Sequence, residues 1–276
     1  MLNLEKYSGL PIQMREDYSL LFEGGMPEAR PLVREFSAMK NYLQDPGAHY
    51  ERRDVYHVYR DLSRPEHAEI IAAAGLEYDI TVIPPGKIGR EFAKTAGHYH
   101  PEKPDTSVRY PEVYEVIYGR LFLILQSASD DLERLKEVYL VEAERGEKIL
   151  IPPGFGHTSV NPGDDALILS NWKARGMEGL YDAYEARVGA AYYVLESERL
   201  GAKGETSAGY EFAANLHYNQ VPQLRHVRSR ELPQYDLRAA LPVYYTGVKN
   251  LAALEFLTAP EEYLEEMKPE KLFIMT

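Results

Sequence analysis

Four side chains in this sequence have the types and the spacing of a metal site. His98 and His100 stand two residues apart, so on a strand both point to one face, roughly 6.6 Å apart along the chain. Glu112 opens a β-rich segment, and His157 follows a turn rich in proline and glycine. The chain has no cysteine, so any metal takes nitrogen and oxygen donors. The pattern therefore predicts one metal ion held by three imidazoles and one carboxylate inside a small β-barrel.

The segments around these ligands read as short strands separated by turns of glycine, proline and asparagine. The predicted strands cover residues 55–59, 78–83, 113–118, 121–125, 138–141 and 166–172. One helix is predicted between them, from a capping box at Ser63 to Gly75. Many short strands around one inward-facing polar site favour a barrel or jelly roll, so we expect an all-β-dominated fold with flanking helical and irregular extensions.

Three regions follow one another along the chain. Residues 1–45 are predicted to form an irregular arm with a short helix over 34–43. Residues 46–200 are predicted to form the barrel that carries the metal site. Residues 201–276 form a C-terminal extension without an assigned role, which begins with a Gly/Ser/Lys-rich linker and contains a predicted helix over 260–267.

Composition limits the function classes. Apolar residues make up 45% and charged residues 27% of the 276 residues, which is ordinary globular composition. The formal net charge of −12 argues against a nucleic-acid-binding or anionic-membrane-binding surface. The N-terminus has neither a basic nor an apolar signal region, and no apolar run approaches the length of a membrane span. We therefore expect a soluble, cytoplasmic protein without a nucleic-acid or membrane partner.

The segment that carries the last histidine resembles the second cupin motif. The pattern Gly146-x5-Pro152-x-Gly154-x2-His157-x3-Asn161 agrees with that motif at every named position. This agreement implies that the strands form a cupin barrel, the double-stranded β-helix or jelly roll.

The first cupin motif is present with one departure. Glu112-x6-Gly119 has the usual spacing, but eleven residues separate His100 from Glu112, where a typical cupin has three or four. The stretches 85–92 (PGKIGREF), 95–100 (TAGHYH) and 112–114 (EVY) are similar to the cupin-type phosphoglucose isomerases of archaea and some bacteria. The resemblance covers roughly residues 50–195. Members of that family interconvert glucose 6-phosphate and fructose 6-phosphate.

The resemblance implies roles for particular residues. The implied metal ligands are His98, His100, Glu112 and His157. The implied phosphate contacts are Thr81, Thr95 and Gly97. The implied sugar-site tyrosines are Tyr56, Tyr110, Tyr114 and Tyr181, and Tyr114 is the strongest because it shares a strand face with Glu112.

The implied activity is aldose–ketose isomerisation in glycolysis and gluconeogenesis, with a sugar phosphate as the partner and a homodimer as the assembly. The implied cofactor is one divalent ion per subunit, Fe²⁺ first, with Mn²⁺, Ni²⁺ or Zn²⁺ as alternatives. Glu112 and Tyr114 are the expected catalytic residues. Either Glu112 takes the C2 proton through a cis-enediol, which we favour, or a hydride shifts directly and Glu112 is only a ligand.

Two other functions remain open from the sequence. Three histidines and one glutamate also suit a non-haem iron cupin oxygenase. A non-catalytic barrel that binds a sugar phosphate is the second alternative. Mannose 6-phosphate stays open as a further substrate of the isomerase.

Overall fold

β-strands dominate the computed structural model, which describes residues 1–129, 132, 134–200 and 206–276. The strands are β1 Leu2–Asn3, β2 Ile12–Met14, β3 Leu20–Phe22, β4 Leu32–Glu35, β5 Asp54–Tyr59, β6 Leu76–Ile83, β7 Lys87–Ile88, β8 Glu91–Phe92, β9 Glu112–Tyr118, β10 Arg120–Ala128, β11 Leu135–Glu144, β12 Lys148–Ile151, β13 Phe155–Val160, β14 Leu167–Ala174, β15 Tyr192–Leu200, β16 Thr206–Ala214, β17 Leu224–Ser229 and β18 Phe273–Met275. The α-helices are α1 Glu5–Ser8, α2 Ala68–Ala73, α3 Asp182–Ala186, α4 Val243–Lys249 and α5 Pro269–Leu272. The 3₁₀ helices are Phe36–Ala38, Lys40–Tyr42, Pro65–His67, Pro233–Tyr235, Leu251–Leu257 and Pro260–Glu262.

Two large sheets form the body of the protein. One has the strand order β12-β9-β14-β6-β5-β4, and the other has the order β13-β10-β11-β17-β18. Their neighbours are antiparallel except for the parallel pair β11 and β17. One hydrophobic cluster includes buried residues from both sheets. The prediction of an all-β-dominated cupin jelly roll is confirmed.

The outer face of the first sheet is covered by the C-terminal region. Trp172 on β14 donates its indole N–H to the carbonyl of Val243 at 2.8 Å, and Gly247 lies so close to Trp172 that an added Cβ would come within 2.1 Å of the ring. Tyr78 on β6 packs against Tyr244 with ring centroids 5.1 Å apart. Because α4 buries this face, every residue of β14 is buried and the strand forms a rigid support for the opposite face.

The region after residue 200 also extends the second sheet, since β17 pairs with β11 and β18 pairs with β17. The Gly/Ser/Lys-rich linker was predicted to begin at residue 201. Its first residues, 201–205, lie outside the described residues, and from Thr206 the chain forms β16 rather than a linker. The strand β16 that follows pairs with β15 over their full described lengths. The division of the chain at residues 45 and 200 stays a prediction.

Three local predictions were wrong. Residues 34–43 form the end of β4 and two 3₁₀ turns rather than a helix, because Leu32–Glu35 pairs with β5. The predicted cap at Ser63 is absent: Arg64 precedes the first 3₁₀ turn without a side-chain cap, although Gly75 ends the helical segment with a φ of 68°. Residues 260–267 hold only one 3₁₀ turn, Pro260–Glu262. Pro260 and Met267, at the two ends of the segment, are buried.

The N-terminal arm is more regular than predicted, since β1, β2 and β3 form a small antiparallel sheet.

In the parts of the chain that the structure describes, no helix has the length and apolar character needed to cross a membrane.

Candidate functional site

The four predicted ligands lie together between the two large sheets. His98 and His100 lie in an extended segment after β8, Glu112 begins β9, and His157 lies in β13. Their ligand atoms are all within 4.8 Å of one another. Glu112 Oε2 lies 3.2 Å from His100 Nε2 and 3.4 Å from His157 Nε2.

Backbone pairing aligns the histidines. His98 and His157 exchange two backbone hydrogen bonds, of 3.2 and 3.0 Å, as an isolated antiparallel bridge. Tyr99 points to the other side of this segment and packs against Tyr184 with ring centroids 5.4 Å apart. The alternation predicted for an extended chain therefore holds, and it turns both His98 and His100 toward the cluster.

Gly97 lets this segment approach its neighbours closely. Its φ is +81°, and a Cβ at this position would lie 2.2 Å from Thr158 Oγ1 and 2.5 Å from the ring of Tyr184. A side chain at this position would therefore require both an unfavourable backbone conformation and displaced neighbours.

The donor atoms fit a divalent metal ion. His100 Nε2 and Glu112 Oε2 are buried and have no hydrogen-bond partner among the described residues. His100 Nδ1 lies 2.8 Å from the carbonyl oxygen of Tyr110, so the ring hydrogen belongs on Nδ1 and the Nε2 lone pair faces Glu112. Asn171 donates its amide N–H to Glu112 Oε1 at 2.6 Å and orients the carboxylate. Three imidazole nitrogens and one carboxylate oxygen suit first-row divalent ions in general.

Electrostatics also favour ligation by neutral imidazoles. Desolvation, followed by the neighbouring His100 ring, lowers the pKa of His98 well below its usual value. Desolvation, followed by the nearby His98 ring, lowers the pKa of His157 in the same way. Both rings are therefore neutral at neutral pH, which is the state that binds a metal.

A cavity adjoins the cluster and contains most of the predicted substrate contacts. The predicted residues that line it are Tyr56, Thr81, Thr95, Gly97, Tyr114 and Tyr181, together with His98 and Glu112. The described contact of Tyr110 with the cluster is made through its backbone carbonyl, and a role for its side chain in sugar binding stays a prediction.

Tyr114 connects the cavity to the ligand cluster. Its hydroxyl lies 2.9 Å from His157 Nε2. Burial, and secondarily the nearby Glu112 carboxylate, raises the pKa of Tyr114 well above its usual value. The phenol is therefore protonated at neutral pH and able to donate a hydrogen bond.

Sequence reasoning missed several polar residues of the site. Arg60, Asp79, Asn171 and Lys173 also line the cavity. Arg34 on β4 lies across from Tyr56, with its Nε 3.2 Å from the tyrosine hydroxyl and its guanidinium 5.4 Å from the ring centroid of Tyr181. For Asn171 and Lys173 a signal existed, because they alternate along a mostly apolar strand and so share one face.

Comparison with known proteins identifies the family of this chain. The family model described as Glucose-6-phosphate isomerase (GPI) matches residues 29–209. The chain is 34% identical over 162 residues to the glucose-6-phosphate isomerase of Thermococcus onnurineus, covering 57% of this chain and 75% of the relative. It is 30% identical over 163 residues to that of Pyrococcus abyssi, covering 57% and 76%. Among solved structures, an oxalate decarboxylase from Lactobacillus farciminis overlaps 55% of this chain and 32% of its own, at 15% identity and a TM-score of 0.34.

Proposed function

The chain belongs to the glucose-6-phosphate isomerase family, and we propose that it interconverts glucose 6-phosphate and fructose 6-phosphate. The observation that carries this proposal is the cavity itself. It joins a buried cluster of three histidines and one glutamate to the threonine, glycine and tyrosine side of the site. An aldose–ketose isomerase needs both parts, because one end of the substrate is an anion and the other end reacts.

We assign the phosphate to the end formed by Thr81, Thr95 and Gly97. Thr95 Oγ1 already accepts the backbone N–H of Ser159 at 3.0 Å, so its own hydroxyl hydrogen is available to a ligand. Directed hydroxyl and backbone donors can hold an oxyanion without a glycine-rich phosphate loop. The guanidinium of Arg34, beside Tyr56, adds positive charge near this end.

The reaction moves a hydrogen between C1 and C2 at the other end. A divalent ion held by the four ligands would act there as a Lewis acid for the oxygens on these carbons. In the route that we favour, Glu112 removes the C2 proton, a cis-enediol forms, and a proton returns at C1. A positioned base of this kind contributes about 10²–10⁴-fold. In the alternative route a hydride shifts directly and Glu112 only ligates.

Tyr114 and Asn171 position the reacting groups. The Tyr114 hydroxyl reaches His157 and faces the cavity, where it can donate to a substrate oxygen. Asn171 holds one oxygen of Glu112 and leaves the other directed at the histidines. We further propose Fe²⁺ as the resident ion, with Mn²⁺, Ni²⁺ and Zn²⁺ as alternatives, and a cytoplasmic homodimer that acts in glycolysis and gluconeogenesis.

A coupled isomerase assay with and without metal tests the proposal. Chelator treatment should abolish interconversion of the two sugar phosphates, and Mn²⁺ or Fe²⁺ should restore it. Activity that persists in fully metal-free protein would contradict the metal role. Metal-loaded protein that consumes oxygen but does not isomerise would instead indicate the oxygenase alternative.

The role of Glu112 is tested separately. Glu112→Gln should lower kcat by about 10²–10⁴-fold and change the dissociation constant of a substrate analogue far less. The exposed Glu185, which accepts from Asn41 at 2.7 Å outside the cavity, provides a matched Glu→Gln control. In D₂O, solvent deuterium at C1 or C2 supports the enediol, whereas full retention of the substrate hydrogen supports the hydride shift.

A further inference from the structure

A buried ionic cluster in the cavity has no part in the steps described so far. Asp79 on β6 and Lys173 on β14 line the cavity and are only 3% and 5% exposed. Lys173 Nζ lies 3.7 Å from Asp79 Oδ2 and 3.0 Å from Glu77 Oε1. Asp79 Oδ1 accepts the backbone N–H of Asp61 at 2.9 Å.

Strand register places this cluster beside the reacting end. Asn171 on β14 lies opposite Asp79 on one side and opposite Tyr114 on the other. The same Asn171 donates to Glu112. Because neighbouring strands are about 4.8 Å apart, Asp79 and Glu112 approach the cavity from the strands that flank β14. A sugar bound in this cavity is therefore flanked by Glu112 on one side and by Asp79 on the other.

Burying these charges costs free energy that a purely structural role does not explain. Removing charges from water carries a penalty that ion pairing repays only in part, and apolar residues of similar volume usually stabilise a sheet as well. Burial raises the pKa of Asp79 to about 7, with Lys173 opposing the rise and Glu77 adding to it. The other charged groups on the cavity wall are Arg60, which directly follows β5, and Glu112 on β9. A carboxyl group with a pKa near 7 exchanges protons readily at neutral pH.

Hexose phosphates exist in solution mainly as closed rings, whereas isomerisation between C1 and C2 requires the open chain. Ring opening needs a base for the hydroxyl on C1 and an acid for the ring oxygen. We propose that Asp79 and Lys173 are this base and acid and open the sugar ring before isomerisation, an inference that rests on the proposed function.

The step balances within the pair. The Asp79 carboxylate takes the proton of the C1 hydroxyl, and the electron pair of that O–H bond forms the carbonyl. The bond between C1 and the ring oxygen breaks, and the ring oxygen takes a proton from the Lys173 ammonium. The proton on Asp79 then passes to the Lys173 amine, which restores the ion pair. Nothing is oxidised or reduced.

Anomer exchange measures this step apart from isomerisation. Glucose 6-phosphate labelled with ¹³C at C1 is followed by exchange NMR, which reports interconversion of the α and β forms. We expect metal-loaded wild-type protein to accelerate it and Asp79→Asn to lose about 10²–10⁴-fold of that acceleration. Asp61→Asn is the control, because its exposed carboxylate pairs with Arg175 outside the cavity and its backbone bond to Asp79 is retained.

The isotope effect separates catalysis from a structural role. In Asp79→Asn, kcat/KM for isomerisation should fall and the effect of deuterium at C2 should shrink toward one, since ring opening then limits the rate. A variant that merely distorts the site keeps the wild-type isotope effect, and that result would overturn the proposal. Lys173→Gln provides a second variant with the same expected outcome if Asp79→Asn does not fold.

The two proposals fail in different ways. Wild-type protein that exchanges anomers no faster than buffer, or equally fast exchange in wild type and both variants, would overturn the ring-opening role. Protein that accelerates anomer exchange through Asp79 without forming fructose 6-phosphate would support this role and contradict the isomerase.

Discussion

The hydrogen bond from Asn171 to Glu112 provides a sharp test of how the cluster is organised. Asn171 is 5% exposed, and its amide donates to Glu112 Oε1 at 2.6 Å. We choose Asn171→Leu because leucine has the same number of side-chain heavy atoms as asparagine and lacks the amide that donates to Glu112. The carboxylate then keeps its charge but loses the group that fixes its orientation.

The expected magnitude follows from the charge on the acceptor. A hydrogen bond to a charged group contributes about 1.5–3 kcal/mol, which corresponds to about 10- to 150-fold in an equilibrium constant. Loss of a partner that orients a metal ligand typically costs about 10- to 100-fold in metal affinity or activity. The two ranges agree, so Asn171→Leu should weaken metal binding by one to two orders of magnitude, on the order of 10- to 100-fold.

Metal affinity is measured by competition with a chelator of known affinity, and kcat is measured at saturating metal. Asn41→Leu is the matched control, because Asn41 donates to the Glu185 carboxylate at 2.7 Å on the exposed surface. It should leave metal affinity and kcat unchanged. Wild-type metal affinity and wild-type kcat in Asn171→Leu would refute the argument that this bond organises the cluster.

Two further predictions concern stability. Gly97→Ala should lower the melting temperature more than Gly154→Ala in thermal unfolding. Both glycines have a φ of +81°, but only at Gly97 would a Cβ overlap its neighbours, which adds about 1–3 kcal/mol to the loss of stability. Equal losses in the two variants would contradict this. Glu115 is a buried acid paired with Lys148 at 2.8 Å, and burial raises its pKa from 4.5 to about 7. Its contribution to the free energy of unfolding should therefore be complete below pH 4.5 and should fall by roughly 3 kcal/mol as pH rises through 7. Denaturant unfolding of the wild type and of the double variant Glu115→Gln/Lys148→Met measures this contribution. A difference between the two proteins that does not change with pH would contradict it.

The strands around the site could be predicted because their signal is local. Alternating and β-branched residues marked 78–83, 113–118 and 166–172, and the structure has strands there with ends that differ by one or two residues. The helix predicted over 34–43 was wrong because pairing of β4 with β5 decides that segment. A single stretch of sequence does not show which strand will lie beside it.

The sequence by itself indicated the four candidate ligands and the β-dominated fold. His98 and His100 share a face because an extended chain alternates, and the motif around His157 is contiguous, so both signals are readable without knowing what packs where. Only the tertiary structure decided the surroundings of Glu112. Asn171 contacts it, and Asp79 and Lys173 line the same cavity. This arrangement comes from the register of β6, β14 and β9, which depends on pairing between residues that are distant in the chain.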